Sequence, residues 1–204
     1  MTDKAYQINR DYSADAAKIA EWFAPALEKL KASGYNLNIS GGVLQKLRTT
    51  AGLEDELSFM QDIYNKLDLS VNFINLGSLR PLGISQPWIS RVRMAPFNPE
   101  IDKIFDYTLP ERGCLMYIPI SGTHPTTNIK WIDSATKVIE SEKNKKNYAI
   151  EEDTFFPDSP IIVRASQACI FDNRFNQDYM FFIQIGFDDN PSYEEVVEKF
   201  SKLA

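Results

Sequence analysis

Apolar positions recur at helical spacing early in the chain, switch to short β-rich runs near residue 70, and return to helical spacing at the end. Over residues 13–33, Ala16, Ile19, Ala20, Phe23, Leu27 and Leu30 form one stripe, which predicts a helix. Ser13 is placed to cap it, Gly34 supplies the stop, and Pro25 removes a donor and kinks the middle. A second helix is predicted over residues 53–67. There Leu53, Leu57, Met60, Ile63, Tyr64 and Leu67 line a face beside Glu54, Asp55, Glu56, Asp62 and Lys66.

The strands come next. "VNFINL" from Val71 and "WISRVRM" from Trp88 are short, β-rich and bounded by Gly and Pro. Pro81, Pro87, Pro96, Pro99 and Pro110 forbid a long helix in this region. "CLMYIPI", Cys114 to Ile120, is a strongly apolar strand closed by the turn formers "SGTHP". "TTNIKWI" and "YAIEEDTFF" are weaker strands, and between them lies the charged excursion "SATKVIESEKNKKN". Strands follow at Ile161–Arg164, Ala168–Phe171 and Tyr179–Phe187, with Asp172 and Asn173 read as the hairpin turn.

In the closing "SYEEVVEKFSKL", Ser192 and Glu195 have capping-box spacing, and Val196, Val197, Phe200 and Leu203 lie towards one face. Helices, then many short strands, then one helix argue for an α+β domain on a jelly-roll or barrel core. The expected organisation is one domain over 1–204: a helical part (1–70), a β core (71–190) and a C-terminal helix (191–204).

Composition removes several functions. A chain of 204 residues can bury a sizeable core. Its net charge is −6, and the densest basic run, Lys143, Lys145 and Lys146, sits among Glu140, Glu142 and Asn144. A nucleic-acid groove needs a sustained positive field, so none is expected. The start lacks an apolar stretch of signal-peptide length and no segment reaches membrane-span length, so a cytoplasmic protein without membrane partners is expected. Cys114 and Cys169 lie in apolar runs without close pairing, which reads as buried free thiols.

One count limits the chemistry most. The chain holds a single histidine, His124. A mononuclear oxygenase iron takes two imidazoles and a carboxylate, and catalytic zinc of the His₃ or His₂Glu kind also needs more than one. His124 stands in "GTHPTT", a turn-rich stretch that favours a loop residue over a base for Ser121, Thr123 or a cysteine. Nucleotide-binding glycine fingerprints are missing as well. No metal and no cofactor are expected.

Residues 111–120, "ERGCLMYIPI", and residues 161–187 resemble the core of the aspartyl/asparaginyl β-hydroxylase branch of the 2-oxoglutarate/iron dioxygenases. Ile118-Pro119 matches that family's "IP" element, and Ser166 matches the small residue ending the strand before the second metal histidine. The resemblance implies a double-stranded β-helix core, to which the N-terminal helices and the C-terminal helix read from apolar spacing are added. It also places the first metal histidine at Gly113, the second at Cys169 and the cosubstrate arginine at Tyr179 or Met180. None of these residues supplies the chemistry. Tyr179 cannot form arginine's bidentate pair with a carboxylate, and Cys169 is a poor substitute in an iron site of N and O donors.

The expectation is therefore a pseudoenzyme: a dioxygenase-like barrel used for binding or assembly with a protein partner or further copies of itself. Phage genomes carry members of the superfamily, so a virion component is one version of this reading. Trp88 and Phe97, in the Pro-rich segment, are the expected interface residues, since aromatics dominate binding hot spots. An active dioxygenase with an atypical metal site and a cupin-like ligand-binding barrel stand as the alternatives.

Overall fold

The computed structural model describes residues 4–8, 68–85, 90, 110–133, 150–156 and 158–202, together with Ala24, Pro25, Glu28, Lys29 and Ala32. Those five isolated residues are helical, and the remainder of the two expected N-terminal helices lies outside the described residues. So do Trp88, Phe97, most of the expected strand from Trp88, and the charged excursion after Asp133.

Nine strands and one helix follow in chain order among the described residues: β1 (Ala5–Gln7), β2 (Val71–Leu79), β3 (Gly83–Ile84), β4 (Cys114–Ser121), β5 (Asn128–Ile132), β6 (Ile150–Phe155), β7 (Ile161–Arg164), β8 (Cys169–Asn173), β9 (Met180–Phe187) and α1 (Tyr193–Ser201). They form two sheets. Sheet A has the order β1-β7-β4-β9-β2 and sheet B the order β3-β8-β5-β6, with every neighbour antiparallel.

The pairing is nested. β2 pairs with β9, β3 with β8, β4 with β7, and β5 with β6. The chain from Val71 to Phe187 is thus one long hairpin, wound so that successive pairs fall in alternate sheets. The fold is β-rich and jelly-roll-like.

Alternation along each strand decides what lies between the sheets. Leu115 and Tyr117 of β4, Ile161 and Val163 of β7, and Met180 and Phe182 of β9 share one buried cluster with Ile129 and Trp131 of β5 and Cys169 and Phe171 of β8. The opposite face of sheet A is buried too, through Met116, Ile118, Phe181, Ile183 and Ile185. A strand covered on both faces loses its polar alternation, which explains the near-continuous apolar run of β4.

Helix α1 docks on β7 and β4. Its predicted capping box is present: the Glu195 amide donates to Ser192 Oγ at 3.2 Å, and the Ser192 amide donates to Glu195 Oε2 at 2.7 Å. Tyr193, Val196 and Phe200 are buried, whereas Val197, expected inside, is half-buried. The Arg164 guanidinium lies 4.7 Å from the centre of the Tyr193 ring and pairs with Glu194, fastening the helix's first turn to β7.

Two further points differ from expectation. β1 and β3 were not anticipated, because strands of three and two residues carry no readable period. Asp172 and Asn173 are the last residues of β8, and the turn begins at Arg174. Their polarity has other causes, in the contacts they make.

Candidate functional site

The space between the sheets is where a roll of this kind would hold a ligand. Here four rings occupy it. Tyr117, Phe156, Phe171 and Phe182 touch in every combination, with centroids 5.2–6.4 Å apart in edge-to-face, tilted and stacked arrangements. Trp131 is fully buried beside them and donates from Nε1 to the Arg164 carbonyl at 3.2 Å, joining the sheets. The one ring hydroxyl of the quartet is satisfied, since Gln184 Nε2 donates to Tyr117 Oη at 3.1 Å.

One end of the roll is closed by polar side chains that bind backbone. Thr127 Oγ1 donates to Asn173 Oδ1 at 2.6 Å, and Asn173 Nδ2 donates to the Arg80 carbonyl at 2.9 Å. Asn176 Nδ2 donates to the Gly122 carbonyl at 2.8 Å, while the Leu82 amide donates to the Asn176 carbonyl at 2.8 Å. Thr127, Asn173 and Asn176 are all buried, so their polar groups are committed to holding three chain crossings together. His124 belongs to this end. Its Nδ1 lies 2.7 Å from Thr126 Oγ1 and accepts from the Thr126 amide at 3.3 Å. The imidazole is folded into its own turn.

The three positions assigned from the family resemblance do not meet at one site. Gly113 lies just before β4, where a Cβ would come within 2.3 Å of the Pro191 carbonyl oxygen. Its amide donates to Asn190 Oδ1 at 3.0 Å, and its carbonyl accepts from the Ala165 amide at 3.1 Å. Glycine is required there by the chain crossing ahead of α1. Tyr179 is at the far end of β4. Its carbonyl oxygen would be 1.9 Å from a Cβ on Gly122, and the strand Cys114–Ser121 separates Gly122 from Gly113 by about 30 Å of extended chain. The Tyr179 ring stacks on Phe181, whose side chain points away from sheet B. Cys169 alone faces the interior.

Iron, which the resemblance implies, does not fit these residues. Burial pushes the Cys169 thiol up to about 12, and it faces aromatic rings instead of carboxylates. Burial likewise raises Cys114 to about 12, opposed by Arg112. Both thiols are protonated and free near neutral pH. Asn173 points inward but its amide is fully engaged. Among the described residues no three His, Cys, Asp or Glu side chains converge on a common point.

Among the described residues the strongest charge cluster lies on the outer face of sheet B, which sequence reasoning missed. Asp172 Oδ2 pairs with Lys130 Nζ and Arg174 Nη2, each at 2.7 Å, and Arg174 Nε donates to Asp172 Oδ1 at 2.9 Å. Burial alone would raise this carboxyl, but the hydrogen bonds from Arg174 and Lys130 outweigh it and hold the group well below the usual range. The alternation Lys130, Asp172, Arg174 was visible in the sequence. Without the β5–β8 register nothing joined its members.

No protein-family model matches the chain, and no curated protein matches it. Among solved structures, a prolyl-4-hydroxylase from Pseudomonas putida is similar over 90% of both chains, with 10% sequence identity and a TM-score of 0.39. That likeness is too slight to assign a fold or an activity. Among the described residues no helix is long and apolar enough to cross a membrane.

Proposed function

We propose that this chain is a double-stranded β-helix protein of the 2-oxoglutarate/iron dioxygenase superfamily, degenerate within its aspartyl/asparaginyl branch, that works by binding or assembly without catalysing a reaction. The observation that carries the reading is the ring quartet of Tyr117, Phe156, Phe171 and Phe182. Its rings stand in the interior at side-chain contact distance from one another, where a reaction would need room for a substrate and a convergent set of donors. The nested pairing from β2–β9 to β5–β6 supports the superfamily assignment, since a single wound hairpin is how a double-stranded β-helix is made. A virion component is the version in which assembly is the whole function.

The test is direct. Purified protein is loaded with ferrous iron or manganese and 2-oxoglutarate, then assayed for thermal shift and for 2-oxoglutarate turnover. The expected result is an unchanged melting temperature and no turnover. A melting temperature that rises with 2-oxoglutarate in a metal-dependent manner overturns the reading, because a ligand selective for the native state stabilises it by mass action. A rise with keto acids alone favours a ligand-binding barrel.

A further inference from the structure

Sheet B has two margins of opposite character. At the β3 margin, Leu82, Ile84 and Phe175 are 64%, 48% and 67% exposed. Leu82 is held there in the left-handed region, at φ 51°, which is uncommon for a residue with a branched side chain. The strain is locked in by the Leu82 amide bond to Asn176 and by buried Asn173 gripping the Arg80 carbonyl. These apolar groups are therefore displayed on anchored turns. Two cations stand with them: exposed Arg80, which makes no ion pair among the described residues, and Arg174, which pairs with Asp172 and lies 5.9 Å from the centre of the Phe175 ring.

The β6 margin is the reverse. Phe155 is 65% and Ile150 43% exposed, beside Glu151, Glu152 and Asp153. Lys4 pairs with Glu151 and Glu152, and Asp153 makes no ion pair among the described residues. Two β6 margins brought together repel. A β6 margin set against a β3 margin joins acid to cation and apolar side chain to apolar side chain.

Strand direction agrees with that match. Among the described residues sheet B has four strands in strict antiparallel alternation, so a neighbouring copy's β3 set beside β6 continues the alternation. Ile84, Asp172, Asn128 and Phe155 lie on one rung, and directly opposed residues share a face. Continuing the rung into the next copy sets its Ile84 beside Phe155.

We infer that copies of this chain associate head to tail, the β3 margin of one seated on the β6 margin of the next. The inference rests on the reading of the protein as a binding or assembly component and names the partner as the chain itself. Such a contact leaves one margin free at each end, so assembly grows with concentration unless the rotation between copies closes a ring.

Sedimentation velocity on the full chain tests it. Wild-type protein is expected to shift to larger species with rising concentration and to shrink again in high salt, which screens exposed charges. Phe175→Asp blocks the β3 margin and Phe155→Asp the β6 margin, each weakening self-association by roughly tenfold or more while the circular dichroism stays native. An equimolar mixture of the two retains one intact margin of each kind and should form a one-to-one dimer that grows no further. Wild-type protein that stays monomeric at every concentration overturns the inference, as does a mixture that stays monomeric. A salt-insensitive closed dimer of the wild type, unaffected by either substitution, does the same. All of these leave the non-catalytic reading to the 2-oxoglutarate assay.

Discussion

Gly77 sits opposite Phe182, and a Cβ placed on it would lie 2.1 Å from that ring. The Phe182 ring lies over the glycine and reaches the other three rings from there. Gly77→Ala should displace the ring and cost about 1–3 kcal/mol, read as a lower urea midpoint at unchanged slope. Gly113 is tighter still, because the atom in the way is backbone. Gly113→His, which restores the resembled family's ligand, should cost more than about 3 kcal/mol and bring no metal binding by calorimetry. Asp172 makes a pH prediction. Its folded pKa is depressed below the ordinary 3.8, so the stability it contributes is present above that value and lost as pH falls through the folded one. Asp172→Asn should therefore flatten the acid limb of the stability curve below about pH 4 and leave Lys130 and Arg174 facing each other without an anion. Individual residues were the least legible in sequence. At Gly113 a glycine in the place of an expected ligand reads the same in sequence whether chemistry or packing put it there, and only the structure shows the Pro191 backbone against it.

At the scale of elements the sequence was far more readable. The capping box of α1, the apolar runs of β4 and β9, and the strands at β2, β5, β6 and β7 all declare themselves by residue type and period. Ser192→Ala should cost about 1 kcal/mol, and less of it should be lost in a Glu195→Ala background, since the two residues cap each other. A double-mutant cycle by thermal denaturation measures that coupling. The end of β8 misled the reading for a physical reason. Asn173 resembles a turn former, yet it is a buried strand residue whose amide holds the Arg80 and Asp178 carbonyls. Polar groups serving as internal struts are indistinguishable from surface loops until their partners are known.

For the whole molecule, topology governs kinetics. β2 must find β9 across more than a hundred residues, and no two neighbouring strands of sheet A are consecutive among the described strands of the chain. Such non-local pairing predicts refolding in milliseconds to seconds, slower than for a helical protein of similar stability. Stopped-flow tryptophan fluorescence, reporting on Trp131 among other tryptophans, checks this. The jelly-roll character was legible from the count and spacing of strands, whereas the filling of the interior by rings was not. That depends on register, which a one-residue slip would invert.

The nested winding also determines how the molecule bears a load. Val71 pairs with Phe187, and beside that rung the Asp188 amide donates to the Ser70 carbonyl at 2.8 Å. The two ends of the roll therefore leave it side by side. Tension drawn through them meets the β2–β9 ladder end-on and opens it one hydrogen-bonded rung after another, like a zip, instead of shearing all rungs together. In a chain of such subunits pulled through these flanks, this seam is the mechanical fuse, yielding at low force while the ring-filled interior is still shut.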